Sequence, residues 1–172
     1  MKRILFILAV VITCFLSVSC QKTDGEIDYG NTFIYIPQAT AGAGLSSDYF
    51  VPSGTGENTR NFKVNGDNID IMLGVLRSGK EKGEAFSVDI VVDRSRSSMP
   101  EAIYTLPSKV EVKSGSNQAS FYLSVSKASL SDYAGKKLNL ILSLANPSRY
   151  ELAEKNISVN IILDVDALKK LI

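Results

Sequence analysis

Three side chains that often mark a catalytic or binding site are scarce or missing in this sequence. It has no histidine, no tryptophan and only two cysteines, Cys14 and Cys20, among 172 residues. Without histidine the chain lacks the commonest general base, a frequent zinc ligand and the partner that activates a serine or cysteine nucleophile. Without tryptophan it lacks the largest flat ring for stacking against a sugar. The absence of histidine predicts a protein that is not an enzyme, and the absence of tryptophan weakens the case for a carbohydrate-binding surface.

The first 20 residues have the three-part layout of a bacterial export signal. Lys2 and Arg3 precede a charge-free apolar run over 4–16, and small residues follow it up to Cys20. The run is shorter than the roughly 20 residues that a membrane-spanning helix needs. Residues 16–20, Leu-Ser-Val-Ser-Cys, resemble a lipobox, although serine stands three positions before the cysteine where leucine is usual. We predict a lipoprotein signal peptide over 1–19 and lipidation of Cys20; cleavage at Cys14, an uncleaved anchor and a plain signal are the alternatives.

Cleavage before Cys20 would change the composition of the exported chain. It would remove 19 residues, leave 153 and shift the net charge from +1 to about −1. That length suits one domain, and the balanced charge gives no electrostatic attraction to nucleic acid. Because Cys14 would leave with the signal and Cys20 would carry lipid, no disulfide would form, so stability must come from an apolar core.

The residues after the cysteine predict where the chain is anchored. They are polar, and we expect a flexible tether over 20–30. Gln21 stands where aspartate is the usual signal for retention at the inner membrane. The run from Gln21 through Lys22 to the acidic residues resembles the export tags of Bacteroidota surface lipoproteins. The expected location is the outer membrane through the lipid, facing the cell surface, with a periplasm-facing orientation as the alternative.

The remainder of the chain alternates between apolar and polar residues with a period of two, which predicts half-buried β-strands. Glycine, serine and proline separate the runs, as in Ser114-Gly115-Ser116-Asn117. We predict an all-β fold, an immunoglobulin-like β-sandwich of about seven strands over 31–166, with a small closed barrel as the competing architecture. The seven runs cover residues 33–36, 69–76, 86–93, 110–112, 119–125, 138–144 and 157–163.

The last residues, 167–172, are predicted as a short C-terminal tail. Basic and apolar side chains share this segment, Ala-Leu-Lys-Lys-Leu-Ile. It either extends the last strand, forms a helical turn or docks onto a partner, and the sequence does not choose among these.

Part of the sequence resembles a known family. Residues 31–39, Asn-Thr-Phe-Ile-Tyr-Ile-Pro-Gln-Ala, are similar to the opening strand of domain-of-unknown-function family 1735. The segments 104–125 and 138–163 resemble its middle and closing parts, so the resemblance covers roughly 29–165. It implies an immunoglobulin-like domain that follows the lipid anchor of a Bacteroidota surface lipoprotein. Family members often precede glycan-binding or glycoside hydrolase domains, whereas this sequence ends at Ile172. The family has no agreed site residues to transfer.

Acidic residues are the remaining candidates for catalysis or metal binding. Asp89 and Asp93 share a polar strand face, but a glycosidase needs two carboxyl groups across a cleft, and the pattern indicates solvated strand faces instead. Asp67, Asn68 and Asp70 cluster, as do Asp164 and Asp166, in the manner of a calcium loop. Turn-forming and edge-protecting roles explain them equally well. We predict no catalytic residue, no metal site and no cofactor.

The least regular segment, 40–61, carries the candidate ligand contacts. Tyr49 and Phe50 lie within it among four glycines, and long loops of this kind are often functional. An aromatic pair there would suit a sugar ring or a protein partner. The favoured alternative is that both rings pin the loop onto the core. Tyr104 and Tyr122 are predicted to be sheet residues rather than ligand contacts.

Together these features predict a lipid-anchored, non-enzymatic β-sandwich module for binding or assembly at the cell envelope, accessory to a surface glycan-utilisation system. Its expected partners are the membrane, through Cys20, and a polysaccharide or a neighbouring envelope protein, but not nucleic acid. The alternatives are a lipoprotein that binds carbohydrate directly and an adhesin-like or fimbria-like assembly component.

Overall fold

The computed structural model describes residues 32–40, 47–54, 60–79 and 83–172. These ranges belong to one compact unit, Asn31–Ile172. The predicted signal peptide over 1–19, the lipidated Cys20 and the tether over 20–30 lie outside the described residues. In the described part of the chain, no helix has the length and apolar character needed to cross a membrane.

The described residues form eleven strands, one short α-helix and three 3₁₀ helices. The 3₁₀ helices are Pro37–Thr40, Glu101–Ile103 and Ala128–Tyr133, and the α-helix α1 is Val165–Lys169. The strands are β1 (Phe33–Tyr35), β2 (Asp48–Val51), β3 (Phe62–Asn65), β4 (Asn68–Arg77), β5 (Phe86–Val92), β6 (Tyr104–Thr105), β7 (Lys109–Val112), β8 (Gln118–Ser126), β9 (Lys137–Ala145), β10 (Glu151–Leu152) and β11 (Ser158–Asp164).

Two sheets build a β-sandwich, which confirms the predicted fold class. The first sheet has the order β10-β1-β4-β8-β6, with β3 also paired to β4, and the second has the order β2-β11-β9-β5-β7. Most neighbouring strands are antiparallel, whereas β1 with β10 and β2 with β11 are parallel. The short strands β2 and β10 pair with strands far away in the sequence, whereas β3 pairs with the next strand, β4.

The alternation seen in the sequence places one face of each long strand in a shared core. In β4 the residues Ile69, Ile71 and Leu73 are fully buried, and in β9 Leu140 and Leu142 are fully buried. Burying a side chain of this size contributes roughly 1.5–3 kcal/mol to the free energy of unfolding. The hydrophobic effect therefore fixes the register, since a one-residue slip would turn the whole apolar row to solvent.

All seven predicted runs are strands, but the predicted number of about seven is too low. The four strands that the periodicity did not reveal are β2, β3, β6 and β10, each of two to four residues. Such short segments hold too few residues for an alternating pattern to stand out. One of them, β2, lies within the segment 40–61 that the sequence presents as irregular.

The C-terminal tail forms a helix that packs on its own sandwich. Asp164 Oδ1 accepts a hydrogen bond from the Ala167 backbone N–H at 2.9 Å and so caps the N-terminus of α1. Leu168 on this helix is fully buried, and Leu171 packs against the core. Of the three alternatives left open by the sequence, the helical turn is the one adopted.

Candidate functional site

The structure separates the two predicted ligand contacts, Tyr49 and Phe50, onto opposite faces of β2. Tyr49 packs against the core, and its hydroxyl donates a long hydrogen bond of 3.4 Å to the Met72 carbonyl. Burial raises the pKa of Tyr49, and a side-chain hydrogen bond with Asn61 opposes that shift. Phe50, by contrast, is 55% exposed. Tyr49 thus has the pinning role, and the two rings do not present a joint aromatic surface.

Phe50 lies beside a row of amides on the outer face of the second sheet. In the register of β2 and β11, Phe50 is opposite Ile162 and Asp48 is opposite Asn160. Asn160 Nδ2 donates to Asp48 Oδ1 at 2.8 Å, and Asn139 Nδ2 donates to Asn160 Oδ1 at 3.2 Å. Because these amides already bind one another, Phe50 is an exposed ring whose polar neighbours are engaged within the protein.

Three of the four acidic candidates for calcium accept hydrogen bonds within the fold, whereas Asp67 is exposed in the turn before β4. Asp70 is buried and accepts hydrogen bonds from Ser124 and Asn65, while Asp164 caps α1. Asp166 Oδ1 accepts a hydrogen bond from the Gly135 backbone N–H at 2.9 Å. Among the residues that the structure describes, no group of three or more His, Cys, Asp or Glu is placed to hold a metal ion.

The candidate site is an open groove of about 520 Å³ beside the C-terminal end of β5. We call it the β5 groove. Its floor includes the end of β5, and its far wall is the segment from Tyr104 to the start of β7. A volume of this size lies within the usual range for small-molecule sites. Its lining residues are Ile90, Val91, Val92, Arg94, Glu101, Tyr104, Thr105, Leu106, Pro107 and Ser108.

The groove arises where β5 diverges from the segment that leads into β7. The Ile90 N–H donates to the Ser108 carbonyl at 2.8 Å, whereas the Asp93 N–H donates to Ile141 of β9 at 2.9 Å. Because backbone groups alternate in direction along a strand, the N–H and C=O of Val92 face the same side as those of Ile90. Leu106, which would pair with Val92 in this register, does not hydrogen bond to it. The groove therefore offers a main-chain donor and a main-chain acceptor.

A charged pair stands on one wall of the groove. Both terminal nitrogens of the Arg94 guanidinium donate to the Glu101 carboxylate, with 2.6 Å between Nη2 and Oε1. The bond to Arg94 lowers the pKa of Glu101 and raises the pKa of Arg94, so both groups stay ionised. A bidentate pair of this kind fixes the plane of both side chains. Its hydrogen-bonding edges are therefore preorganised at the rim.

Tyr104 supplies the aromatic ring of the groove. It is half-buried, packs against the core and also lines the groove, as does Val91, which is 48% exposed. Burial raises the pKa of Tyr104, and the charges of Arg94 and Glu101 act on it in opposite directions. Tyr104, Arg94 and Glu101 therefore form one cluster with an apolar ring and a polar rim.

This arrangement suits binding better than hydrolysis. Of the groove-lining residues, Glu101 alone carries a carboxyl group, and the Arg94 pair keeps it ionised. A glycosidase uses two carboxyl groups in different protonation states. An amphipathic ligand, in contrast, would meet a ring, an aliphatic floor and oriented polar groups at once.

Sequence reasoning missed Arg94 and Glu101 and assigned Tyr104 to a sheet. The sheet assignment is correct, because Tyr104 is in β6, but it did not reveal that the ring also lines a groove. A usable signal was the long stretch between β5 and β7, which has no alternating pattern and carries both charged residues. The sequence alone could not show that the two ends of this stretch come together.

Comparison with known proteins identifies the fold of this chain but not its family. No family model and no curated protein match the chain. The apo form of the Calx CBD1 domain superposes with a TM-score of 0.52 at 14% identity, covering 78% of this chain and 96% of that one. A "putative carbohydrate binding protein" from Bacteroides ovatus superposes with a TM-score of 0.50 at 10% identity, covering 77% of this chain and 36% of that one. At these identities the likeness establishes a shared sandwich fold.

Proposed function

We propose that this protein is a non-enzymatic carbohydrate-binding module, held to a bacterial outer membrane by lipid on Cys20, that takes a sugar ring into the β5 groove. The observation that carries the proposal is the cluster of Tyr104, Arg94 and Glu101 in a groove that is also lined by Ile90, Val91 and Val92 at the end of β5. The proposed role is capture of polysaccharide for a surface glycan-utilisation system.

The chemistry of a sugar ring matches each wall of this groove. One face of a pyranose is apolar through its C–H groups and packs on an aromatic ring, while its hydroxyls lie around the edge. The Arg94–Glu101 pair offers donors and acceptors in one plane, and Val92 adds a backbone donor and acceptor. Such a surface can bind a hydroxyl-rich ring through contact area and oriented hydrogen bonds, so the ligand needs no charge.

The fold comparison supports this ligand class only indirectly. The protein from Bacteroides ovatus carries the words carbohydrate binding in its name, and the matched part is about a third of its length. A sandwich can host many unrelated functions, so the groove, rather than the fold, is the argument for a sugar ligand.

Affinity electrophoresis through gels that contain pullulan, laminarin, galactomannan or xyloglucan tests the proposal. We expect retardation in at least one gel and a loss of affinity of about tenfold, or 1.4 kcal/mol, for Tyr104→Leu, which keeps an apolar side chain but removes the ring. Tyr122→Leu is the matched control, because Tyr122 is a tyrosine of the same sheet that is 37% exposed and does not line the groove. Equal mobility of the protein in all four gels and in a plain gel would contradict a carbohydrate ligand.

The membrane anchor is a separate part of the proposal. The export signal and the lipobox-like segment before Cys20 support it, as does the resemblance to family 1735. Metabolic labelling with palmitate in a bacterial host is expected to label the protein, and Cys20→Ser is expected to abolish the label. Cys14→Ser is the control and should leave labelling intact; loss of label in that variant alone would move the anchor to Cys14.

An assembly role is the second candidate, and an open sheet edge favours it. The Arg77 N–H donates to the Asn117 carbonyl at 2.7 Å, so alternation turns the backbone groups of Ser120 and Tyr122 away from β4. On that side β6 pairs only with Ser124 and Val125, and no other described strand covers the edge. An adhesin-like or fimbria-like component would receive a donated strand there. Two results together would count against this role: the protein stays monomeric by light scattering at high concentration, and it does not bind added strand peptides.

A further inference from the structure

We infer that Glu101 makes the β5 groove selective for uncharged sugars, because it holds Arg94 in a closed bidentate pair. This inference rests on the proposed function and concerns which carbohydrates the same groove accepts. Glu101 is then a specificity-determining residue, and Arg94 would bind the carboxylate of a ligand once Glu101 no longer occupies it.

The geometry separates this pair from the other charged residues of the same loop. Arg94 pairs with Glu101, whereas Arg96 Nε donates to Asp93 Oδ2 at 2.6 Å. Arg94 and Glu101 both line the groove, and neither Asp93 nor Arg96 does. The two ion pairs therefore provide a matched comparison, with one inside the proposed site and one a few residues outside it.

Solvent exposure makes the pair available to a ligand. The side chains of Arg94 and Glu101 are 63% and 66% exposed. A uronic acid in the groove would bring its carboxylate towards a guanidinium whose two forward N–H groups already bind Glu101. The ligand carboxylate would have to displace Glu101 or lie beside it, and two negative charges side by side repel each other. A neutral sugar meets neither obstacle and can use the outer edges of both groups.

Replacing Glu101 by glutamine keeps the size and shape of the side chain and removes its charge. Arg94 would then retain its positive charge beside a neutral amide. Guanidinium binds carboxylate through two parallel hydrogen bonds, which are stronger than hydrogen bonds between neutral groups. In Glu101→Gln, Arg94 is expected to offer that fork to an acidic sugar, and the preference of the groove should move towards anionic ligands.

The test compares the polysaccharide that binds with the same polymer oxidised at its free C6 hydroxymethyl groups to carboxylates, so that the backbone linkages are kept and negative charge is added. Isothermal titration of the purified protein is expected to show at least tenfold weaker binding of the oxidised form. In Glu101→Gln this ratio should shift by about tenfold towards the oxidised form, and the gain should fall as salt is added. The double variant Arg94→Gln, Glu101→Gln should lose the gain, and Asp93→Asn should keep the wild-type ratio.

The outcomes distinguish the inference from the proposed function. If the neutral polymer binds and Glu101→Gln leaves the ratio unchanged, Glu101 does not set selectivity, although the groove still binds carbohydrate. If the wild-type protein prefers the oxidised polymer, the inference is overturned in the same way. If neither form of any polymer binds, the proposed function and the inference fail together. Circular dichroism of Glu101→Gln checks folding, which this exposed substitution should not disturb.

Discussion

At the scale of single residues, adjacent side chains on a strand face opposite directions, and this decides the roles of Tyr49 and Phe50. Tyr49 contacts the core, whereas Phe50 faces solvent. We expect Tyr49→Ala to lower the free energy of unfolding by about 2–3 kcal/mol and Phe50→Ala to lower it by less than about 1 kcal/mol. Urea denaturation of the two variants measures the difference. Equal losses would mean that Phe50 also packs against the core.

Asp70 provides a residue-scale prediction of pH dependence. It is 5% exposed, and although burial alone would raise its pKa, hydrogen bonds from Ser124 and Asn65 and the charge of Lys63 outweigh burial and lower the pKa below 3.8. A lowered folded-state pKa means that the carboxylate stabilises the fold above about pH 4 and that this contribution disappears as the pH falls through the folded value. Asp70→Asn is therefore expected to lose about 1–3 kcal/mol at pH 7 and less at low pH.

Urea denaturation of Asp70→Asn and the wild type at pH 7 and at pH 3 measures this prediction. Other carboxyl groups also titrate in that window, so the quantity to compare is the difference between the two proteins at each pH. Asp67→Asn is the control, because Asp67 is an exposed residue in the turn before β4. A difference that grows on acidification would contradict the sign argued for Asp70.

At the scale of elements, two glycines test whether a substitution is limited by backbone conformation or by packing. Gly115, in the turn between β7 and β8, has φ of +79°, and Gly74 in β4 has no such conformation. An added Cβ would meet nothing within 4 Å at Gly115, whereas at Gly74 it would make ordinary contacts of 3.6–3.8 Å. We expect Gly115→Ala to cost about 1–2 kcal/mol through backbone strain alone and Gly74→Ala to cost less than about 1 kcal/mol.

Thermal unfolding monitored by circular dichroism compares these two variants directly. The pair separates backbone strain from packing, since the more crowded glycine is predicted to tolerate substitution better. A greater loss for Gly74→Ala would show that the contacts of its Cβ with Pro37 and Ala119, rather than φ, limit substitution.

The long elements were predictable from sequence, and the short ones were not. In β4, β8, β9 and β11 a row of buried residues repeats at every second position, so hydrophobic periodicity alone identifies them. In β6 two residues form a strand only because Val125 and Ser124 lie opposite them, which is a tertiary effect. The same limit hid the candidate site. Arg94 lies in a turn and Glu101 begins a 3₁₀ helix, and their joint position with Tyr104 depends on how the chain crosses between the two sheets.

At the scale of the whole molecule, the sandwich supplies a rigid frame in which one irregular connection forms a site. The chain from the end of β5 to the start of β7 passes from the second sheet to the first at β6 and back again. The β5 groove lies where this connection leaves the second sheet, and its lining comes from the end of β5 and from the connection itself, including β6. Binding surfaces placed on loops over a fixed scaffold are a common solution in β-sandwiches. The proposed lipid on Cys20 would hold this scaffold at the membrane and leave the groove to meet its ligand.

The most direct measurement of the central claim is a titration of uniformly ¹⁵N-labelled protein with the oligosaccharide of the panel polymer that binds best, followed by two-dimensional NMR. We expect the largest amide shift changes at Val91, Val92 and Tyr104, because these residues line the groove. The amides of Phe50 and Tyr122 should remain unchanged. Changes centred on Phe50 or on the β8 edge, or no changes at saturating ligand, would contradict the assignment of the β5 groove as a carbohydrate site.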